Sequence, residues 1–297
     1  MTQTLDPPVN PTPLLSELAV HGATDGLTTI PATGRYVVDL TADTPRVDAA
    51  LGRATRPVSL AVVMPVYNEE RTVCQAIGEV LALDFPCPVQ LIVVDDGSRD
   101  RTWELIASIS DPRLVRLRHQ TNRGKGAALR TGQGAATASH IVPFDADLEY
   151  SASDLVRLIE PVVSRRADIV YGTRVCHGRV NHRYTIYALG NSIMTGVANL
   201  LFGSAITDLH TCLKLMPLDV MSSLPLTQEG FGLDTEMTAW LLRFRLPVCE
   251  VPVSYEGRTR AEGKKIGWRD GLNCLHVLGS VRVARAMPLA AARLQAA

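Results

Sequence analysis

The stretch that decides the fold is Ser59-Leu60-Ala61-Val62-Val63-Met64-Pro65-Val66-Tyr67-Asn68-Glu69-Glu70. From Leu60 to Val66 it is apolar without alternation, with Val62, Val63 and Val66 β-branched, the pattern of a strand covered on both faces, and it stops at a polar cluster. A helix is expected next, from about Arg71 to Leu83. The unit then repeats: a strand at 90–94, a polar loop Asp95-Asp96-Gly97-Ser98, a helix at 102–110, a strand at 114–117, and a glycine-rich turn into a helix near 125–138. A strand at 141–144, a helix from Ser153 to about Val163 and a strand at 168–171 follow. Short apolar strands alternating with helices predict an α/β domain with a mostly parallel central sheet flanked by helices.

In such sheets ligands gather at the carboxyl ends of the strands. Three polar clusters stand at such ends: Tyr67-Asn68-Glu69-Glu70, Asp95-Asp96-Gly97-Ser98 and Asp145-Ala146-Asp147. Taken singly, each is accounted for by helix capping or a solvated turn. Their convergence on one edge predicts a site. Asp145-Ala146-Asp147 sets two carboxylates two positions apart, a pattern that suits Mg²⁺ or Mn²⁺ when phosphates complete the shell.

The 297 residues carry 30 Lys plus Arg against 30 Asp plus Glu, so no global field recruits nucleic acid and anion binding must be local. Six cysteines, at 74, 87, 176, 212, 249 and 274, show no metal-finger spacing and predict reduced thiols in a cytoplasmic protein. Residues 1–57 form a Pro/Thr-rich extension, expected to be partly disordered, without the basic-then-apolar order of a secretory leader. A short strand near 36–40 is the exception within it. The stretch 184–207 is uncharged, yet ten of its twenty-four residues are Gly, Asn, Ser or Thr, which suits a buried or interfacial helix better than a membrane span. Near the carboxyl end, Arg282, Arg285 and Arg293 interrupt apolar residues, predicting an amphipathic tail at 279–297 that packs on the domain or rests peripherally on the inner membrane face.

Together, Pro65-Val66-Tyr67-Asn68-Glu69-Glu70, Val94-Asp95-Asp96-Gly97-Ser98 and Asp145-Ala146-Asp147-Leu148 resemble inverting glycosyltransferase family 2, most closely the dolichyl- or polyprenyl-phosphate sugar synthases. The resemblance extends through Asn122-Arg123-Gly124-Lys125-Gly126, Tyr171-Gly172-Thr173-Arg174, the string from Asp208 to Lys214, and the string from Glu262 to Gly271. It implies a GT-A fold at 58–278 that binds a nucleotide-diphospho-sugar. Pro65, Tyr67 and Glu69 would then line the base and ribose pocket, with Asp95 or Asp96 accepting hydrogen bonds from the nucleoside. Lys125, Arg183, Lys214, Lys264 and Lys265 would face the diphosphate or the acceptor, and Asp145 and Asp147 would hold the metal. Family members often carry Gln at the position of Glu149, which makes Glu149 a candidate third metal ligand.

On the acceptor side Arg174, Arg179, His182 and Arg183 form one basic cluster, and Arg258, Arg260, Lys264, Lys265 and Arg269 another. The second lies in a string that by resemblance is a mobile loop between Gly263 and Gly267. A lipid-phosphate acceptor needs no strong base. A hydroxyl acceptor does, and Glu236, then Asp234, are the candidates. The expected function is transfer of a hexose from a GDP- or UDP-linked donor to a polyprenyl-phosphate-like acceptor. A tailoring enzyme acting on a hydroxyl or amine of a soluble small molecule is the alternative. A sugar-nucleotide-binding protein without turnover would be expected to have lost the metal pair or the loop, and both are present.

Overall fold

A computed structural model describes residues 27–30, 35–38, 57–176, 179–180, 185–230, 232–257 and 268–284. Ahead of the main domain, β1 (Leu27–Ile30) and β2 (Arg35–Val38) pair as an antiparallel hairpin, the second overlapping the strand expected at 36–40.

The deciding stretch forms β3 (Leu60–Val66), followed by α1 (Val73–Leu81), β4 (Val89–Asp95), α2 (Thr102–Ser108), β5 (Leu114–Arg118), α3 (Lys125–Ala135), β6 (His140–Pro143), α4 (Asp154–Val163) and β7 (Val170–Thr173). A two-stranded ribbon of β8 (Val175–Cys176) and β9 (Arg179–Val180) leads to α5 (Thr185–Phe202). The chain closes with β10 (Lys214–Pro217), α6 (Leu218–Ser223), α7 (Gly232–Arg243), β11 (Cys249–Pro252) and α8 (Trp268–Val283). The tail boundary expected after residue 278 falls inside α8, because the apolar pattern of that helix continues through Val281 into the core.

Seven strands form the central sheet in the order β11-β7-β10-β6-β3-β4-β5. β10 is antiparallel to both β6 and β7, and every other pairing is parallel. Alternation along β3 explains the layers. Leu60, Val62 and Met64 pack with Ile77, Leu155 and Leu158 on one face, whereas Ala61 and Val63 pack with Leu129, Tyr171 and Leu241 on the other. Burying each of the Val, Leu, Ile and Met side chains contributes about 1.5–3 kcal/mol. Helix α3 lies close on β3 because Gly132 faces Val63, where a Cβ would collide.

This topology places the carboxyl ends of β3, β4, β6 and β7 on one edge. Because β10 runs the opposite way, its first residue, Lys214, pairs with Tyr171 toward that same edge. Among the described residues no helix is long and apolar enough to cross a membrane. The uncharged α5 instead buries Thr195 and Ala198 and leaves Leu189, Ile193 and Leu200 exposed.

Candidate functional site

The first two loops are tied together by hydrogen bonds. Asn68 N donates to Ser98 Oγ at 2.9 Å, Arg99 N to Asn68 Oδ1 at 2.9 Å, and Glu69 N to Thr102 Oγ1 at 2.9 Å. Pro65, Tyr67 and Glu69 remain half-buried beside them. Gly97 turns the second loop with a φ of 73°, and a Cβ there would lie 2.5 Å from the carbonyl carbon of Thr121.

The two aspartates of this loop have different tasks. Asp96 accepts from His119 Nδ1 at 2.6 Å, Arg123 N at 3.0 Å and Gly124 N at 2.7 Å, so its carboxylate pins the turn that presents Lys125. Asp95 is wholly buried: Oδ1 accepts from Ser98 N at 3.1 Å, while Oδ2, 3.1 Å from Arg118 Nε, forms no hydrogen bond. Of the two aspartates, only Asp95 has an oxygen held by an ion pair without a hydrogen bond.

Lys125 opens α3 after Gly124, whose φ is 91° and whose Cα lies against Glu229 O. Its Nζ is 2.8 Å from Asp145 Oδ2, 3.6 Å from Asp234 Oδ2 and 3.6 Å from Cys212 Sγ. Burial works against the charge, yet Asp145 and Asp234 hold the ammonium well above its ordinary pKa. Lys214 is also fully buried, donates to Thr211 O at 2.6 Å and stands 3.5 Å from Asp234 Oδ1, over the Tyr171 ring. Burial lowers its pKa while Asp234 opposes the shift. Burial alone would raise Asp234, but Lys125 and Lys214 outweigh it and lower that carboxyl. Asp145, Lys125, Asp234 and Lys214 thus form one chain of alternating charge.

Asp147 Oδ1 accepts from Glu149 N at 3.1 Å across Leu148, which has a φ of 60°. This tight turn keeps Asp145 and Asp147 together at the end of β6. Glu149 is directed elsewhere: Tyr255 OH donates to its Oε2 at 2.6 Å, and Glu256 N donates to its carbonyl at 2.8 Å. Among the described residues no three His, Cys, Asp or Glu side chains gather as a metal cage, and one oxygen of Glu149, the candidate third ligand, is taken by Tyr255. The donor set fits Mg²⁺ or Mn²⁺ nonetheless. Two hard carboxylates on one turn, one already facing a cationic ammonium, leave the remaining positions to phosphate and water.

Arg174, just after β7, forms a bidentate pair with Asp208: Nε to Oδ2 and Nη2 to Oδ1, both at 2.7 Å. Its guanidinium lies 4.9 Å from the centre of the Tyr255 ring. Burial would raise Asp208, but Arg174 pulls its pKa down to about 2. Asn191 Nδ2 also donates to Asp208 Oδ1 at 2.9 Å, which turns its Oδ1 toward His210 Nδ1, 3.0 Å away. On its other side the imidazole meets Thr235 Oγ1 at 3.1 Å and Cys274 Sγ at 3.4 Å. Burial, reinforced by Lys214, lowers His210 to about 4.

The two candidate bases separate. Glu236, ranked first from sequence, accepts from Thr227 N at 2.8 Å, Gln228 N at 2.9 Å and Thr227 Oγ1 at 2.7 Å, and so clamps a loop. Asp234 is the carboxylate that faces the site. Arg183, Lys264 and Lys265 lie outside the described residues. Asn191, Glu250 and Tyr255 were missed from sequence. Glu250 accepts from Thr207 N at 2.7 Å and so supports Asp208, but no local spacing connects these residues.

A family model described as "Glycosyl transferase family 2" matches residues 61–222, from β3 to α6. The chain is 26% identical over 203 residues to "Glycosyltransferase AglJ" of Haloferax volcanii, covering 68% of this chain and 64% of that protein, just under two thirds of its length. It is 26% identical over 215 residues to the dolichol-phosphate mannosyltransferase of Pyrococcus furiosus, covering 71% and 60%. To the UDP-N-acetylglucosamine–dolichyl-phosphate N-acetylglucosaminyltransferase of Methanococcus voltae it is 22% identical over 227 residues, covering 69% and 89%. Among solved structures, glucosyl-3-phosphoglycerate synthase from Mycobacterium tuberculosis with Mn²⁺, uridine diphosphate and phosphoglyceric acid matches with a TM-score of 0.62 at 17% identity, covering 87% and 88%. That likeness bears out the GT-A fold.

Proposed function

Because the chain belongs to glycosyl transferase family 2, we propose that it is an inverting, metal-dependent enzyme that moves a hexose from a nucleotide-diphospho-sugar to a polyprenyl-phosphate-like acceptor. The observation that carries this reading is the contact of Lys125 with Asp145, 2.8 Å apart, at the edge where the nucleoside loops also end. Asp145 and Asp147 would hold Mg²⁺ or Mn²⁺, which supplies charge neutralisation to the departing nucleoside diphosphate. Lys125 supplies a second cation to the same oxygens. Lys214, held by Thr211 and Asp234, positions Asp234 and Lys125 from below. Pro65, Tyr67, Glu69 and Asp95 are assigned to the nucleoside, while Arg174, Arg183, Lys264 and Lys265 are assigned to the diphosphate and acceptor by family resemblance.

Two features support a phosphate acceptor over a hydroxyl. A hydroxyl needs a proton acceptor poised near the working pH. Asp234 is held below the usual carboxylate range by two ammonium groups, and Glu236 already accepts three hydrogen bonds. A phosphate oxygen arrives as an anion and needs neither. Leu189, Ile193 and Leu200 on α5 and Leu272 and Val283 on α8 are exposed apolar side chains on two packed helices, which supports peripheral contact with the inner membrane face.

The test uses radiolabelled GDP- and UDP-hexoses, Mn²⁺ and either polyprenyl phosphate or a cytosolic extract. Label in the organic phase is expected with the lipid. Label confined to the aqueous phase would favour the soluble tailoring reaction instead.

A further inference from the structure

Behind Arg174 runs a line of hydrogen bonds whose direction is fixed at every member. Asp208 is fully buried, and its carboxylate can only accept: Oδ2 takes Arg174 Nε at 2.7 Å and Arg174 N at 3.0 Å, while Oδ1 takes Arg174 Nη2 at 2.7 Å and Asn191 Nδ2 at 2.9 Å. The amide nitrogen of Asn191 must therefore face Asp208, which turns its Oδ1 to His210. There Oδ1 accepts from His210 N at 3.3 Å, a group that can only donate, and stands 3.0 Å from His210 Nδ1. Nδ1 consequently carries the proton. The ring is neutral, its pKa lowered to about 4 chiefly by burial, so it has one proton and Nε2 is an acceptor. Nε2 meets Thr235 Oγ1 at 3.1 Å and Cys274 Sγ at 3.4 Å, so two donors are at hand for one lone pair.

The line ties three helices to one guanidinium: Asn191 comes from α5, Thr235 from the first turn of α7 beside Asp234, and Cys274 from α8. A bidentate pair moves as a unit, so whatever pins the Asp208 carboxylate also pins Arg174. Among the described residues Asn191 is the only other side chain that donates to that carboxylate, and His210 in turn keeps the Asn191 amide from flipping its oxygen toward it. Arg174 spends Nε and Nη2 on Asp208 and lies against the Tyr255 ring, whereas its Nη1 has no partner among the described residues. We propose that Asn191 and His210 are positioning residues, which act through Asp208 to hold Arg174 with its Nη1 edge presented to an anionic acceptor. This rests on the assignment of Arg174 to the acceptor and adds to it what sets the orientation of the guanidinium.

Steady-state kinetics with the full chain, Mn²⁺, a labelled nucleotide-diphospho-hexose and polyprenyl phosphate test this, with nucleotide affinity measured by calorimetry alongside. Asn191→Leu should raise KM for the lipid about tenfold, the loss of one hydrogen bond to a charged group, and leave nucleotide affinity unchanged. In an Arg174→Met background the same substitution should lower kcat/KM no further, because residues on one path are not additive. A full second loss there would overturn the inference. His210→Asn and His210→Gln decide the matter should Asn191→Leu fail to fold. Asn keeps an N–H near the place of Nδ1 and should retain most of the affinity for the lipid, whereas the Gln amide lies near the place of Nε2 and should lose as much as Asn191→Leu; equal losses would overturn the inference. A long-range ¹⁵N–¹H spectrum of the unaltered chain, which needs no turnover, should place the His210 proton on Nδ1, and a proton on Nε2 would overturn the inference while leaving the acceptor reading intact. No transfer to polyprenyl phosphate by the unaltered chain would overturn both.

Discussion

Lys125 Nζ stands 2.8 Å from Asp145 Oδ2 and 3.6 Å from Asp234 Oδ2, so a single ammonium joins the turn after β6 to the first turn of α7. It occupies the ground that a divalent ion would claim on Asp145. Lys125→Met should therefore have two effects of opposite sign. Binding of Mn²⁺ without nucleotide should tighten, because Asp145 loses a rival cation, and turnover should fall on the order of 10²-fold for the loss of one preorganised charge. A Mn²⁺ titration and a kcat measurement on the same preparation check both.

Asp147 and Glu149 belong to one turn but differ in what they hold. Asp147→Asn should lower turnover on the order of 10²–10³-fold if it binds the catalytic metal. Glu149→Gln should cost less than about tenfold, since an amide oxygen can still accept from Tyr255 OH. Rates at saturating Mn²⁺ decide between them; equal losses would return Glu149 to the metal.

Glu236 and Asp234 should divide stability from activity. Glu236→Ala strands two backbone N–H groups and a hydroxyl in the 227–228 loop, and should cost about 3 kcal/mol in a urea titration at a typical 1 kcal/mol per bond. Asp234→Asn removes the charge between two ammonium groups, so its main loss should appear in kcat.

Acid should weaken the fold in two stages. His210 is neutral in the folded chain, with its pKa lowered from 6.5 to about 4, so its contribution is full above pH 6.5 and is lost as the pH falls toward 4, at a cost of about 3 kcal/mol. Asp208, lowered from 3.8 to about 2 by Arg174, contributes fully above its unfolded pKa and loses about 2 kcal/mol as the pH drops through 2. Melting temperatures between pH 8 and 4 should fall, and His210→Gln should flatten that fall.

The βα repeat from Leu60 to Thr173 was legible because each strand is a continuous apolar run ended by turn chemistry, and each predicted element lies within a few residues of its observed bounds. The turn after β6 was legible for a similar reason: Asp145 and Asp147 lie two positions apart on the chain. β10 and β11 were not: Lys214–Pro217 opens on a lysine that reads as a solvated charge although it is fully buried, and Cys249–Pro252 carries Glu250 in its middle. The different duties of Asp95 and Asp96, or of Asp234 and Glu236, are set by partners distant in sequence. No local pattern assigns Gly124 N to one aspartate and Ser98 N to the other.

The reversed polarity of β10 has a consequence for how such a site can diversify. In a purely parallel sheet every wall of the cleft is built by chain leaving a strand. Here one wall is built by chain arriving, and a single heptapeptide, Asp208 to Lys214, delivers the partner of Arg174, the imidazole between three helices, the thiol beside Lys125 and the buried ammonium. The nucleoside loops lie on the other flank of the sheet, after β3 and β4. A change within these seven residues therefore reaches Arg174, Lys125 and Asp234 together while leaving the loops after β3 and β4 untouched.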